Sequence, residues 1–176
     1  MFEKFLNEKS KHKISSQFNS TNFSQLNSAK VIFANMIKME INEAKSAVAR
    51  GESKLALQGK QLNSGDLAEI VSVLLGSRVK TIMLGNNMID SLDDLAKLSE
   101  YIKVRRLSLY NNSISELAPI RTLTTLTTLV LSGNLIRDIS ALAHCINLGK
   151  LCISRNLIQD ISPLEHCTML HELDLS

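Results

Sequence analysis

The apolar residues in the second half of the chain return in one fixed arrangement. In the stretch 126–136 they follow the pattern L-x-x-L-x-L-x-x-N-x-I, in which Leu129 and Leu131 are two positions apart and so lie on the same side of an extended chain. Alternation with a period of two predicts a short strand with one buried face. The equivalent residues are spaced 25, 22, 22 and 22 residues apart. They are Ile82, Leu107, Leu129, Leu151 and Leu173. Such a period predicts stacked structural repeats.

The repeated motif resembles that of the leucine-rich repeat proteins, and the resemblance covers residues 52–176. Its 22-residue unit is similar to the short-repeat class, which includes phosphatase-regulator proteins and the bacterial internalins. The resemblance implies an α/β fold, a right-handed solenoid with a curved parallel sheet on its concave side and short helices or turns on its convex side. The residue pairs expected to point into the core are Ile82/Leu84, Leu107/Leu109, Leu129/Leu131, Leu151/Ile153 and Leu173/Leu175.

The repeats are preceded by segments of different composition. Residues 52–78 form a degenerate first repeat, in which Lys60 replaces the asparagine and a helix begins at Asn63 or Ser64. Residues 29–50 place apolar side chains at helical spacing, and we interpret this helix as an N-terminal cap over the first repeat. A helix that binds a membrane surface or a partner is the alternative. Residues 1–28 are predicted to form a flexible polar arm, since Ser, Asn, Thr and Gln dominate residues 14–28.

An asparagine occupies the same place in four successive repeats. The chain turns away from the strand there and leaves backbone groups without sheet partners. An amide side chain can donate to and accept from such groups, so we expect a structural ladder of stacked asparagines. An asparagine-lined ligand site is the less favoured interpretation. The four residues are Asn87, Asn112, Asn134 and Asn156.

Composition and charge narrow the class of protein. Apolar residues make up 44% of the chain and aromatic residues only 4%, as expected of a core built from Leu, Ile and Val. The net charge of +3 is too small to argue for nucleic acid by itself. No apolar run reaches the roughly 18 residues that a membrane span needs, and the N-terminus is a poor secretory signal. The three cysteines favour a reducing compartment, so we expect a cytoplasmic protein, with the nucleus as an alternative.

Candidate chemistry is weak. His144-Cys145 and His166-Cys167 lie 22 residues apart and could approach each other as zinc-type ligands. A cysteine before each strand is more simply a small buried residue, so we predict no metal and no cofactor. The chain contains no nucleophile elbow, phosphate loop or other catalytic motif, and we predict that it is not an enzyme.

The exposed residues of the concave face are the candidates for binding. Arg and Tyr are common at the centre of protein interfaces, and a broad curved surface is what solenoids use to bind. The predicted partner-binding residues are Lys54, Lys80, Met83, Arg105, Arg106, Tyr110, Val130, Lys150 and Arg155.

We therefore expect a non-catalytic protein-protein interaction module, a scaffold or regulatory subunit. The resemblance suggests a phosphatase catalytic subunit as one partner. An RNA-associated protein, like the repeat subunit of a spliceosomal particle, is a less favoured alternative, and a pathogen effector of internalin type is another. Because the last repeat stops directly after its strand, at Ser176, we also expect a fragment, a truncated reading frame or half of an assembly.

Overall fold

A parallel sheet with one strand per repeat is the central feature of the fold. The structure is a computed structural model that describes residues 20–176, with side chains from Val31 onward except at Phe33. Six strands pair in chain order. They are β1 (Lys54–Ala56), β2 (Thr81–Met83), β3 (Arg106–Ser108), β4 (Thr128–Val130), β5 (Lys150–Cys152) and β6 (Glu172–Asp174). The predicted solenoid architecture is confirmed.

The register of the sheet follows the period of the sequence. Ile82 pairs with Leu107, Leu107 with Leu129, and Leu129 with Leu151. The central residue of each strand from β1 to β5 is buried, while the two residues beside it are exposed or half-buried. Each buried aliphatic side chain contributes roughly 1.5–3 kcal/mol. The stack of repeats therefore holds one continuous aliphatic core under the sheet, and the polar side of every strand faces solvent.

The connections between strands lie on the side opposite the solvent-exposed sheet face. The longest holds helix α2 (Ser64–Leu74), which Asn63 and Asp66 start with a complete capping box. The next has a 3₁₀ turn followed by the four-residue helix α3 (Leu98–Tyr101). The three 22-residue units have room only for single 3₁₀ turns. These turns span Ala118–Thr122, Ser140–His144 and Ser162–His166.

Helix α1 (Ser20–Ala49) precedes the repeats. The chain divides into two units after Lys38, so that residues from Met39 onward belong with the repeats. In this later part, Ile41, Ala44 and Ala47 are buried at three-residue spacing. The Glu40 carboxylate also lies 3.1 Å from the amino group of Lys60. Both features meet the requirements of a cap on the first repeat.

The start of α1 differs from the sequence prediction. Helix was expected from residue 29, yet it begins at Ser20 and takes in part of the segment that was assigned to a flexible arm. Residues 14–50 contain neither proline nor glycine. Because extending a helix costs much less than nucleating one, moderate helix formers such as Ser and Asn are carried along. The remainder of the predicted arm, residues 1–19, lies outside the described residues, and the division into arm, cap and repeats stays a prediction.

Candidate functional site

The concave face is defined here as the solvent-exposed side of strands β1–β6 with the residues directly flanking them. All nine residues that the sequence analysis selected for binding are exposed or half-buried on this face. Their side chains are therefore free to meet another molecule. They differ, however, in whether they already form ion pairs or hydrogen bonds with neighbouring residues.

The centre of the concave face is a small apolar area with a fixed aromatic ring. Half-buried side chains lie here at Met83 on β2, at Val130 on β4 and at Tyr110, two residues after β3. The ring of Tyr110 lies across Gly85, where an added Cβ would fall 2.1 Å from the ring atom Cε1. The Tyr110 hydroxyl accepts a hydrogen bond of 3.0 Å from the Asn86 side chain. The ring is thus held in place before any partner arrives, which lowers the entropy that binding would cost.

A row of left-handed residues follows the strands and was missed by the sequence analysis. Asn86, Asn111, Gly133 and Arg155 all have φ between 49° and 71°. Each donates its backbone N–H to a carbonyl oxygen in the next repeat, as Asn86 does to Tyr110 at 2.8 Å. Asn and Gly tolerate this conformation best. The signal was present in the sequence, because Asn or Gly directly precedes the repeated asparagine in three of the four copies.

One of the predicted cations is neutralised within the protein. Lys150 on β5 is ion-paired and hydrogen-bonded to Glu172 on β6, and this bond raises the pKa of the Lys150 amino group. The pKa of Asp174 is lowered, first by hydrogen bonds from the Ser176 backbone and hydroxyl and, to a smaller extent, by the charge of Arg155. The charges of Lys150 and Glu172 therefore offset each other at β5 and β6. Lys150 is a weaker binding candidate than the sequence suggested.

The other predicted cations remain available. Lys54, Lys80, Arg105 and Arg106 are exposed. None of them pairs with a carboxylate among the residues that the structure describes. The concave positions of β1–β4 carry no acidic side chain at all. This part of the face therefore presents four cations without an ion-pair partner among the described residues.

The four repeated asparagines hold the turns behind the sheet edge. The Asn134 side chain accepts a hydrogen bond from Ile114 N at 3.0 Å and donates to Leu109 O at 3.0 Å and Leu131 O at 2.8 Å. Asn87, Asn112 and Asn156 make the equivalent bonds in their own repeats. Every described polar atom of these side chains is used within the stack. They contribute to stability and leave little capacity to hold a ligand.

The cysteine and histidine pairs point in different directions. Cys145 and Cys167 are buried, and their thiols lie 3.8 Å and 3.4 Å from the carbonyl oxygens of Ile120 and Leu142. Burial, with a smaller effect from Cys167, raises the pKa of Cys145 to about 12, so its thiol is not a nucleophile at neutral pH. His144 and His166 are exposed. No group of three or more metal-ligating side chains forms within the part of the chain that the structure describes.

The described part of the chain also has no helix with the length and apolar character needed to cross a bilayer.

Comparison with known proteins finds similarity to leucine-rich repeat proteins. The model of the leucine-rich repeat family, in two copies, matches residues 102–144. Internalin C2 of Listeria monocytogenes has a similar structure, with a TM-score of 0.63 and 29% identity over 75% of this chain. A second internalin of that bacterium gives a TM-score of 0.56 and 25% identity over 62% of this chain. A search by sequence against curated proteins finds no match.

A leucine-rich repeat protein of Leptospira interrogans shares the fold, with a TM-score of 0.54 and 24% identity over 66% of this chain. The chain spans only part of these solved proteins: 55% of internalin C2, 31% of the second internalin and 28% of the Leptospira protein.

Proposed function

We propose that this chain, a leucine-rich repeat protein, is a non-catalytic module that binds another protein on its concave face. Leucine-rich repeat solenoids commonly mediate protein-protein interactions through such surfaces. The observation that carries the proposal is the fixed ring of Tyr110. Tyr110 follows β3, the strand that holds the unpaired Arg106 and that lies between the strands of Met83 and Val130. Aromatic and arginine anchors of this kind supply most of the energy in protein interfaces.

The proposed role is that of a scaffold or regulatory subunit. The resemblance of the repeat to phosphatase-regulator proteins supports a phosphatase catalytic subunit as one candidate partner. We also propose a cytoplasmic location, which the three free thiols favour because such thiols persist in reducing compartments.

A pathogen effector of internalin type is the second candidate. The 29% identity to internalin C2 favours it. Both candidates need a protein bound to the concave face, and they differ in where the partner comes from. Capture from a lysate of the organism that carries the gene, set against capture from a host lysate, separates them.

The test compares two matched double variants of the full chain. Arg106→Glu with Tyr110→Ala alters the centre of the concave face. Arg121→Glu with Tyr101→Ala makes the same chemical changes on the opposite side, where both residues are exposed. Proteins cross-linked to the wild-type chain in a lysate are identified by mass spectrometry. Circular dichroism confirms that both variants are folded.

The expected result is a partner that the wild-type chain and the control variant retain and the concave-face variant loses. Removing two anchor residues typically weakens binding by several kcal/mol, which is about a hundredfold or more in Kd. Equal recovery of every partner by both folded variants would exclude the concave face as the binding site.

A further inference from the structure

Six cations form a cluster where strands β1–β3 begin, and we refer to this cluster as the basic edge. Four of its members belong to the concave-face set, and Arg78 and Lys103 were not singled out from the sequence. All six are exposed. They are Lys54, Arg78, Lys80, Lys103, Arg105 and Arg106.

The register of the sheet brings these residues side by side. Thr81 pairs with Arg106, so the preceding residues Lys80 and Arg105 also lie next to each other. Arg105 N donates a 2.8 Å hydrogen bond to Lys80 O, which continues the ladder beyond the strands. Arg78 and Lys103 precede these two residues by the same two positions. Two basic-x-basic segments are thus aligned on neighbouring repeats.

The dimensions of the basic edge follow from strand spacing. Adjacent strands lie about 4.8 Å apart, so the backbones of β1–β3 place the six cations across a width of about 10 Å. The buried Val79 and Val104 separate the two members of each basic-x-basic segment and keep their side chains outside the core. The fold therefore holds several like charges close together, an arrangement that an anionic partner would relieve.

The basic edge ends sharply on its C-terminal side. At the equivalent positions before and in β4 the chain has Thr125, Thr127 and Thr128. The hydroxyls of Thr125 and Thr127 donate to the backbone carbonyls of Val104 and Arg105. The next cation along the sheet, Lys150, is already paired with Glu172. Most of the positive charge without an ion-pair partner on the described concave face therefore lies at its first three strands, and Arg155 after β5 is the exception.

We infer that the basic edge binds an acidic segment of a partner protein, in which several carboxylates or phosphorylated side chains lie close together. The inference rests on the proposed protein-binding function and names the class of partner. The apolar area at Met83, Tyr110 and Val130 lies beside the basic edge on the same face. A segment that combines acidic side chains with one apolar side chain matches both regions.

Charge and composition argue against two other ligands of the basic edge, the chain's own N-terminal segment and single-stranded nucleic acid. The chain's own residues 1–28 hold four lysines against two glutamates, so they do not complement a basic surface. Surfaces for single-stranded nucleic acid combine cations with several aromatic side chains on which bases stack. Among the concave positions Tyr110 is the single aromatic residue, and one face of its ring already covers Gly85. A protein segment therefore suits the surface better than RNA.

The experiment measures binding of short fluorescent probes to the full chain by anisotropy. The probes are a peptide with six consecutive glutamates, a peptide with phosphoserines in the same places, the same peptide with glutamines, and an oligouridine. The edge variant is Arg78→Glu with Lys103→Glu. The control variant is Arg121→Glu with Arg137→Glu, which makes the same charge change at exposed positions away from the basic edge.

We expect the wild type to bind the glutamate peptide, the phosphoserine peptide or both at low salt, and the glutamine peptide weakly. The preferred peptide identifies the source of the negative charge. The edge variant should bind about tenfold more weakly, because two reversed surface charge pairs amount to about 1.4 kcal/mol. The control variant should stay within about twofold of the wild type, and raising the salt concentration should weaken binding throughout.

Three results would overturn the inference: equal affinity of the edge and control variants for both acidic peptides, tighter binding of oligouridine than of either peptide, or low-salt self-association that only the edge variant loses. The last result would show that the basic edge binds a second copy of this chain.

The capture experiment distinguishes the two proposals. A partner that depends on Tyr110 and Arg106, in the absence of peptide binding, removes the acidic-segment inference alone. Peptide binding at the basic edge, with no partner lost from the concave-face variant, removes the broader proposal alone.

Discussion

At the scale of single residues, the polar groups inside this stack are there to complete the backbone. The repeated asparagine sits where the chain leaves the strand and its N–H and carbonyl groups have no sheet partner. The first repeat has Lys60 at that position, and the Lys60 side chain reaches Glu40 of α1 instead. The asparagine of the following repeat, Asn87, then accepts from the backbone N–H groups of Lys60 and Leu62. Each side chain of the ladder therefore supports the repeat before it as well as its own.

Asn134 offers the clearest test of the ladder. In the substitution Asn134→Asp, one carboxylate oxygen still accepts from Ile114 N. The other oxygen replaces the amide nitrogen that donates to Leu109 O and Leu131 O in the native protein. We expect the free energy of unfolding to fall by about 2–4 kcal/mol, because two buried acceptors lose their donors beside a buried charge. Urea denaturation followed by circular dichroism measures the change.

Asn147→Asp is the matched control for this substitution. Asn147 is exposed and makes one side-chain bond, to Thr124 O at 2.9 Å. Its replacement should cost no more than about 1 kcal/mol. A cost for Asn134→Asp as small as that of the control would show that the ladder adds little to stability.

At the scale of elements, we expect the first repeat to depend on the end of α1. Ala44 is fully buried, and Ile41 and Ala47 beside it on the helix are also buried. The substitution Ala44→Asp would place a charge at this buried position. We expect the free energy of unfolding to fall by about 2–4 kcal/mol. Amide hydrogen exchange in β1 and α2 should become faster, because the helix would no longer protect the first repeat.

The control for Ala44 lies two residues further along the same helix. Ser46 is exposed, so Ser46→Asp introduces the same carboxylate into solvent and should change stability by about 0.5 kcal/mol or less. Hydrogen exchange separates a local effect from a global one. Unchanged protection of β1 in a folded Ala44→Asp variant would contradict the role of α1 as a cap.

The sequence predicted the strands well because two periods combine. Buried residues recur every second position within a strand and every 22 residues between the later strands, so a single register of the sheet buries them all. Leu107, Leu129 and Leu151 had to align if all three were to be buried, and they do. Contacts that depend on the direction in which a long side chain extends were harder to predict. Lys150 and Glu172 fall in the same row of the sheet, yet only side-chain conformation shows that they neutralise each other.

The position of the Tyr110 ring likewise depends on the missing side chain of Gly85 in the neighbouring repeat. Sequence periodicity predicts the position of each residue in the register of the sheet, which is the row of equivalent residues across neighbouring strands. The direction that a long side chain takes within that row depends on its neighbours, and so does the part of the concave face that remains free to bind.

At the scale of the whole molecule, stability is spread along one aliphatic column, since each repeat contacts its neighbours and little else. Leu129 is fully buried in the middle of this column, paired in register with Leu107 and Leu151. The substitution Leu129→Ala should cost about 2–5 kcal/mol through lost contacts and a cavity. The adjacent Val130, half-buried on the opposite side of the same strand, provides the control, and Val130→Ala should cost about 1 kcal/mol or less.

The shape of the transition tests how the repeats depend on one another. No repeat can bury its own apolar face, so neither half of the stack should stay folded once the middle fails. Thermal unfolding of Leu129→Ala followed by circular dichroism should therefore show one transition at a lower Tm. Two separate transitions, one on each side of the cavity, would show that the repeats form independent halves.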